Sequence, residues 1–110
     1  MLEREFGEHA DAMLARIEQS LEHCAAEIDY EIMPGGIIEI EFPDAGGSKI
    51  IVNRHVAARE IWVAAKSGGY HFRMDVARPG VWIDARDSVD LMTRLSRCIS
   101  EQAGIEVRLA

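Results

Sequence analysis

Apolar residues recur every three or four positions over the first 24 residues. Phe6, Ala10, Met13, Ile17, Leu21 and Cys24 make a single stripe, which predicts an amphipathic helix with one face against a core. From residue 28 the period falls to two, the period of half-buried strands. IDYEIM (28–33) alternates. IIEIEF (37–42) puts Ile38, Ile40 and Phe42 on one face. SKIIVNR (48–54) turns Ile50 and Val52 inward and Lys49, Ile51 and Asn53 the other way. EIWVAA (60–65), YHFRMD (70–75) and VWID (81–84) complete the series, with Tyr70, Phe72 and Met74 inward. PGG (34–36), PDAGG (43–47), the Gly68-Gly69 pair and RPG (78–80) punctuate it, and links this short favour antiparallel neighbours. A helical period then returns. Val89, Met92, Leu95 and Ile99 form a stripe, with Leu91 and Cys98 beside it. Asp87 is the expected cap, Asp90 adds favourable charge to the first turn, and Gly104 is the expected stop. The closing IEVRLA is expected to pack back on the domain.

Helix, five or six strands, helix is the pattern of an α+β fold. Each helix has one apolar stripe, so both are expected on one face of an antiparallel sheet, in a two-layer sandwich. The other face can stay wet. Residues 1–110 read as one domain with its own core. Alternation then places Asn53, Trp62, His71 and Arg73 together on the uncovered face. Trp and Arg are frequent interface anchors. Trp62 either shields the sheet or meets a partner; parity alone leaves both open.

Charge changes the picture because of where it lies. Residues 1–31 hold nine acids and two bases, so they carry −7, the whole of the chain's net charge. Such a field repels nucleic acid and attracts cations or a basic partner. No apolar run is long enough to span a membrane. The acidic start is unlike a secretory or transit leader, so a cytoplasmic protein is expected. Cys24 and Cys98 belong to no CxxC and are expected to be reduced thiols.

Motifs of common chemistry are missing: no phosphate-cradling loop with a Lys-Ser/Thr pair, no GxSxG, no HExxH. His9, His23, His55 and His71 fall on different elements. What remains is a carboxylate row, Glu8, Asp11, Glu18 and Glu22, stepping along the first helix beside its apolar stripe. Carboxylates suit hard cations and, with histidine, iron. The row is either a solvated face or a weak site for cations or a basic partner.

With GSKIIVNR (47–54), IWVAAKSGGYHF (61–72), ADAML followed by IEQSLE in the first helix, and QAG (102–104), nearly the whole chain resembles the frataxin family, its bacterial branch in particular. The resemblance implies the fold derived above. It implies weak ferrous and ferric iron binding on an acidic ridge that maps to Glu18, Glu22, Glu27, Asp29 and Glu31, extended by Asp11 and Glu8. It also implies a regulatory or chaperone role in iron–sulfur cluster assembly, through contact with a cysteine desulfurase and its scaffold protein. Partner contact maps to Glu18, Glu22, Asn53, Trp62 and His71, with Arg73 added by parity. A monomer is expected in the absence of iron, with no nucleic acid or membrane partner. Two departures stand out. Gln19 and His23 replace acids in doublets common in the family, and Glu60 stands where glutamine is common. The alternatives are a ferroxidase or iron store, against which the lack of a Glu-x-x-His spacing speaks, and a haem-like ligand held by an exposed His71 or His23.

Overall fold

The computed structural model describes residues 1–110. Helix α1 (Glu3–Glu22) is followed by strands β1 (Asp29–Met33), β2 (Ile37–Phe42), β3 (Ser48–His55), β4 (Glu60–Ala65), β5 (Gly68–Met74) and β6 (Trp82–Asp84), then helix α2 (Leu91–Ala103). The six strands form one sheet in sequence order, every neighbour antiparallel. Each strand therefore pairs with the one just made, as the short turns require. Gly35 and Gly36, both at positive φ, carry the β1–β2 turn, a conformation in which a side chain would be strained.

Both helices lie on one side. Phe6, Ala10 and Ile17 of α1 and Leu95 and Ile99 of α2 are fully buried. They meet the inward residues of the sheet: Ile38, Ile40, Ile50, Val52, Ile61, Val63, Phe72 and Trp82. Each such side chain is worth about 1.5–3 kcal/mol when withdrawn from water, so the alternating pattern translates directly into a single core. Phe6 meets Trp82 edge-on, ring centres 5.9 Å apart.

Four expectations need correction. The turn between β4 and β5 falls on Lys66 and Ser67, and Gly68 and Gly69 are strand residues that open β5. Helix α1 stops at Glu22, so Cys24 lies beyond it and is only half buried. Asp90, not Asp87, caps α2; its carboxylate accepts from the Thr93 backbone N–H at 3.1 Å. Asp87 is separated from the helix by Ser88 at φ 61°, accepts from the Val89 backbone N–H at 3.1 Å, and pairs with Arg94. Val89 accordingly precedes the helix and is half buried.

The tail does pack back. Val107 and Leu109 are buried, and serines of both helices hold the backbone around them. Ser100 Oγ accepts from Val107 N at 2.8 Å, Ser96 Oγ accepts from Leu109 N at 2.9 Å, and Ser20 Oγ donates to Ala110 O at 2.7 Å. The opposite face of the sheet carries no helix.

Candidate functional site

On that open face, register sets Asn53 opposite Trp62 and Trp62 opposite His71. His55, two residues beyond Asn53, shares their parity. The imidazoles of His55 and His71 sandwich the indole. Ring centres are 3.9 Å apart with planes at 14° on one side, and 4.1 Å with 6° on the other. The Ala58 backbone N–H donates to His55 Nδ1 at 3.3 Å, fixing that ring. Glu60 anchors the group from below. Its Oε1 accepts from Trp62 Nε1–H at 2.8 Å and its Oε2 from Arg73 Nε–H at 2.7 Å. His71 Nδ1 stands 3.8 Å away.

The Glu60 side chain is only 13 % exposed. Burial works against its ionisation, but the hydrogen bonds from Arg73 and Trp62 outweigh it and hold the carboxyl below its ordinary pKa. Glu60 is therefore an anion at neutral pH, and it is the residue that pins Trp62. The sheet face does not carry a loose negative charge there. With both faces of the indole covered, Trp62 offers a partner its ring edge and not a stacking platform.

The carboxylates form a different kind of surface. Inward parity puts Tyr30 and Ile32 of β1 opposite Ile40 and Ile38, beneath α1. Asp29 and Glu31 therefore point to the open face, opposite Glu41 and Glu39. Glu8, Asp11, Glu18 and Glu22 step along the flank of α1, with Asp11, Glu18 and Glu22 beside the same strand and its turn. The acids thus wrap the β1 edge from both sides, with Glu27 in the connection between the two rows. Two of them are engaged: Asp11 pairs with Arg54, and Glu22 accepts from the Tyr30 hydroxyl. Glu8, Glu18, Glu27, Asp29 and Glu31 are exposed. Lys49 bridges Glu39 at 2.8 Å and Glu41 at 3.9 Å and is the one base set among the strand acids. No three His, Cys, Asp or Glu side chains are gathered where they could hold an ion together. An ion meeting this edge would take one or two carboxylate oxygens, with water filling the rest of its shell.

A frataxin-like domain model matches residues 1–105. The chain belongs to the frataxin family. It is 54% identical over 104 residues to the iron-sulfur cluster assembly protein CyaY of Dechloromonas aromatica, covering 94% of each chain. The CyaY protein of Herminiimonas arsenicoxydans is 44% identical, over 99% of this chain and 96% of its own. The solved structure of a frataxin from Psychromonas ingrahamii superposes with a TM-score of 0.85 at 29% identity, over 100% of this chain and 99% of that one. A trimeric frataxin from Saccharomyces cerevisiae shares the fold, with a TM-score of 0.68 at 24% identity over 87% and 79% of the two chains.

Of the positions anticipated from sequence, Asn53, Trp62, His71 and Arg73 come together on one face. The seven anticipated acids split between the helix flank, the connection and the open face. His55 and the anchoring role of Glu60 were missed. Extending the third strand's alternation by one step, from Asn53 to His55, would have found the second imidazole.

Proposed function

We propose that this frataxin assists or regulates iron–sulfur cluster assembly, binding iron weakly on the acidic β1 edge and using that edge to dock a basic face of the cysteine desulfurase. The open face around Trp62 supplies the second contact, to the desulfurase or its scaffold protein. The role is one of binding and not of catalysis, in keeping with relatives named as cluster-assembly proteins. The observation that carries this reading is the run of exposed acids, Glu8, Glu18, Glu27, Asp29 and Glu31, none of which makes an ion pair. Unpaired charge of one sign steers an oppositely charged partner and sets the association rate.

The Trp62 group complements it. It is rigid, largely satisfied in its hydrogen bonds, and presents ring edges and the Arg73 guanidinium. A preorganised patch of this kind loses little entropy on docking. The test is titration of purified bacterial cysteine desulfurase into the Glu18→Lys, Glu31→Lys double variant. Affinity should fall about tenfold or more at low ionic strength, and the difference should shrink as salt screens it. Equal affinity of parent and variant would remove the electrostatic part of the proposal. In a parallel Fe²⁺ titration, amide signals of residues 8–31 should move and those of 53–73 should not.

A further inference from the structure

Between α1 and the β1 edge lies an apolar groove of about 230 Å³. Its walls include Leu14 and Ala15 from the helix and Ile32 and Ile38 from the strands, and Asp11 and Glu18 also line it. Ile32 is one of the chain's few large exposed apolar side chains, at 47%. Its parity places it under the helix, yet α1 does not cover it. The helix residue on that side is Ala15, too short to reach across. Ion pairing to Arg54 fixes Asp11 at the rim, while Glu18 has no partner. Beyond Ile32 the β1 edge is unpaired, since β2 is its one neighbour.

We propose that this groove receives an aliphatic or methionine side chain projecting from a basic segment of the docking partner. The inference rests on the reading of the acidic edge given above and adds an apolar anchor to it. Charge complementarity selects the occupant. A side chain entering the groove must bring its flanks past Asp11 and Glu18 on one side and Asp29 and Glu31 on the other, so those flanks are basic. The same acids oppose a second copy of this chain, because pairing two β1 edges would face like charges. The division of labour is a familiar physical one. Exposed charges steer and orient the encounter, and a small desolvated anchor holds it.

The experiment separates anchor from charge with the full-length protein and purified bacterial cysteine desulfurase as the probe. Ile32→Thr keeps the β-branch suited to a strand and removes apolar contact. Ala15→Phe fills the groove from the helix side. Glu18→Lys reverses the charge at the rim and leaves the apolar walls, Leu14, Ala15, Ile32 and Ile38, unchanged. Affinity is measured at ~0.05 M and ~0.5 M salt, conditions of weak and strong screening, with thermal unfolding confirming that each variant is folded. Ile32→Thr and Ala15→Phe should each weaken binding about tenfold at both salt concentrations, leaving the salt dependence unchanged. Glu18→Lys should weaken it mainly at low salt. If both groove variants bind like the parent while Glu18→Lys does not, the groove is idle and the edge reading survives alone. If all three bind like the parent, the edge reading fails and this inference fails with it. If the protein by itself sediments as a dimer that Ile32→Thr dissolves, the occupant is a second copy and the proposal is overturned.

Discussion

The acidic edge and the Trp62 group lie on one sheet, a few strands apart, and are built on opposite principles. Around Trp62 the aromatic and charged groups are engaged with one another: two imidazoles cover the indole, and Glu60 holds both its N–H and Arg73. Along β1 and the flank of α1, five acids stand exposed without a base. On the helix, Glu8 with Asp11 and Glu18 with Glu22 are like-charge neighbours one turn apart, and each such pair costs a few tenths of a kcal/mol. One region therefore contributes to holding the fold, and the other is held by it. A fold under selection for stability alone has no reason to place its whole net charge in its first 31 residues. The cost makes sense where the charge is met by something outside the chain.

This contrast is sharpest in Trp62→Ala. The substitution removes a large, half-buried ring and both stacking contacts at once. Aromatic pairs contribute about 0.5–1.5 kcal/mol each beyond the area they bury. A loss of about 2–3 kcal/mol in unfolding free energy is expected, read from urea denaturation with buried Trp82 as the fluorescent reporter. A loss below about 0.5 kcal/mol would mean that the stack contributes nothing to stability, and the two surfaces would no longer differ in kind.

What could be read from the sequence follows the same division. All six strands and both helices are visible as periods of two and of three to four, because burial enforces those periods residue by residue. The same alternation brings Asn53, Trp62, His71 and Arg73 together, since register only has to keep neighbouring strands in phase. The anchoring by Glu60 is not legible in this way. Glu60 and Trp62 share a face, but whether a carboxylate there is loose or locked depends on Arg73, thirteen residues on and one strand across. The Asp11–Arg54 pair spans 43 residues, and no local pattern announces it. At the start of α2, two aspartates three residues apart, Asp87 and Asp90, satisfy the same capping rule. The left-handed Ser88 decides between them, and serine does not advertise that conformation.

Glu60→Gln tests the lock at smaller amplitude. Glutamine still accepts from the indole N–H but loses the ion pair with Arg73. The cost should be about 1 kcal/mol near neutral pH, because Arg73 is largely exposed and its charge is partly screened. The pH dependence gives the sign. The folded carboxyl is held below its ordinary value of 4.5, so the unfolded chain takes up the proton first. The contribution of Glu60 is complete above that ordinary value and is lost as pH falls through the lower, folded one. The gap in stability between parent and Glu60→Gln should therefore be constant near neutrality and close under acid conditions. A gap that widens with acid would reverse the assignment.

The smallest effect is expected where the acidic edge is altered, and its direction is the informative part. Glu18 lies one turn from Glu22 on α1, and Glu22 is held in place by Tyr30. Glu18→Gln relieves one like-charge pair and removes no contact that the fold uses. It should raise stability by a few tenths of a kcal/mol at low salt, and the gain should vanish as the Debye length shortens. The same variant should bind the desulfurase more weakly under those conditions. Opposite signs for folding and for binding at one residue are what a surface kept for a partner requires. If Glu18→Gln instead destabilised the fold, Glu18 would belong with Glu60 among the groups that hold the structure, and the distinction between the two surfaces would not extend to this part of the helix.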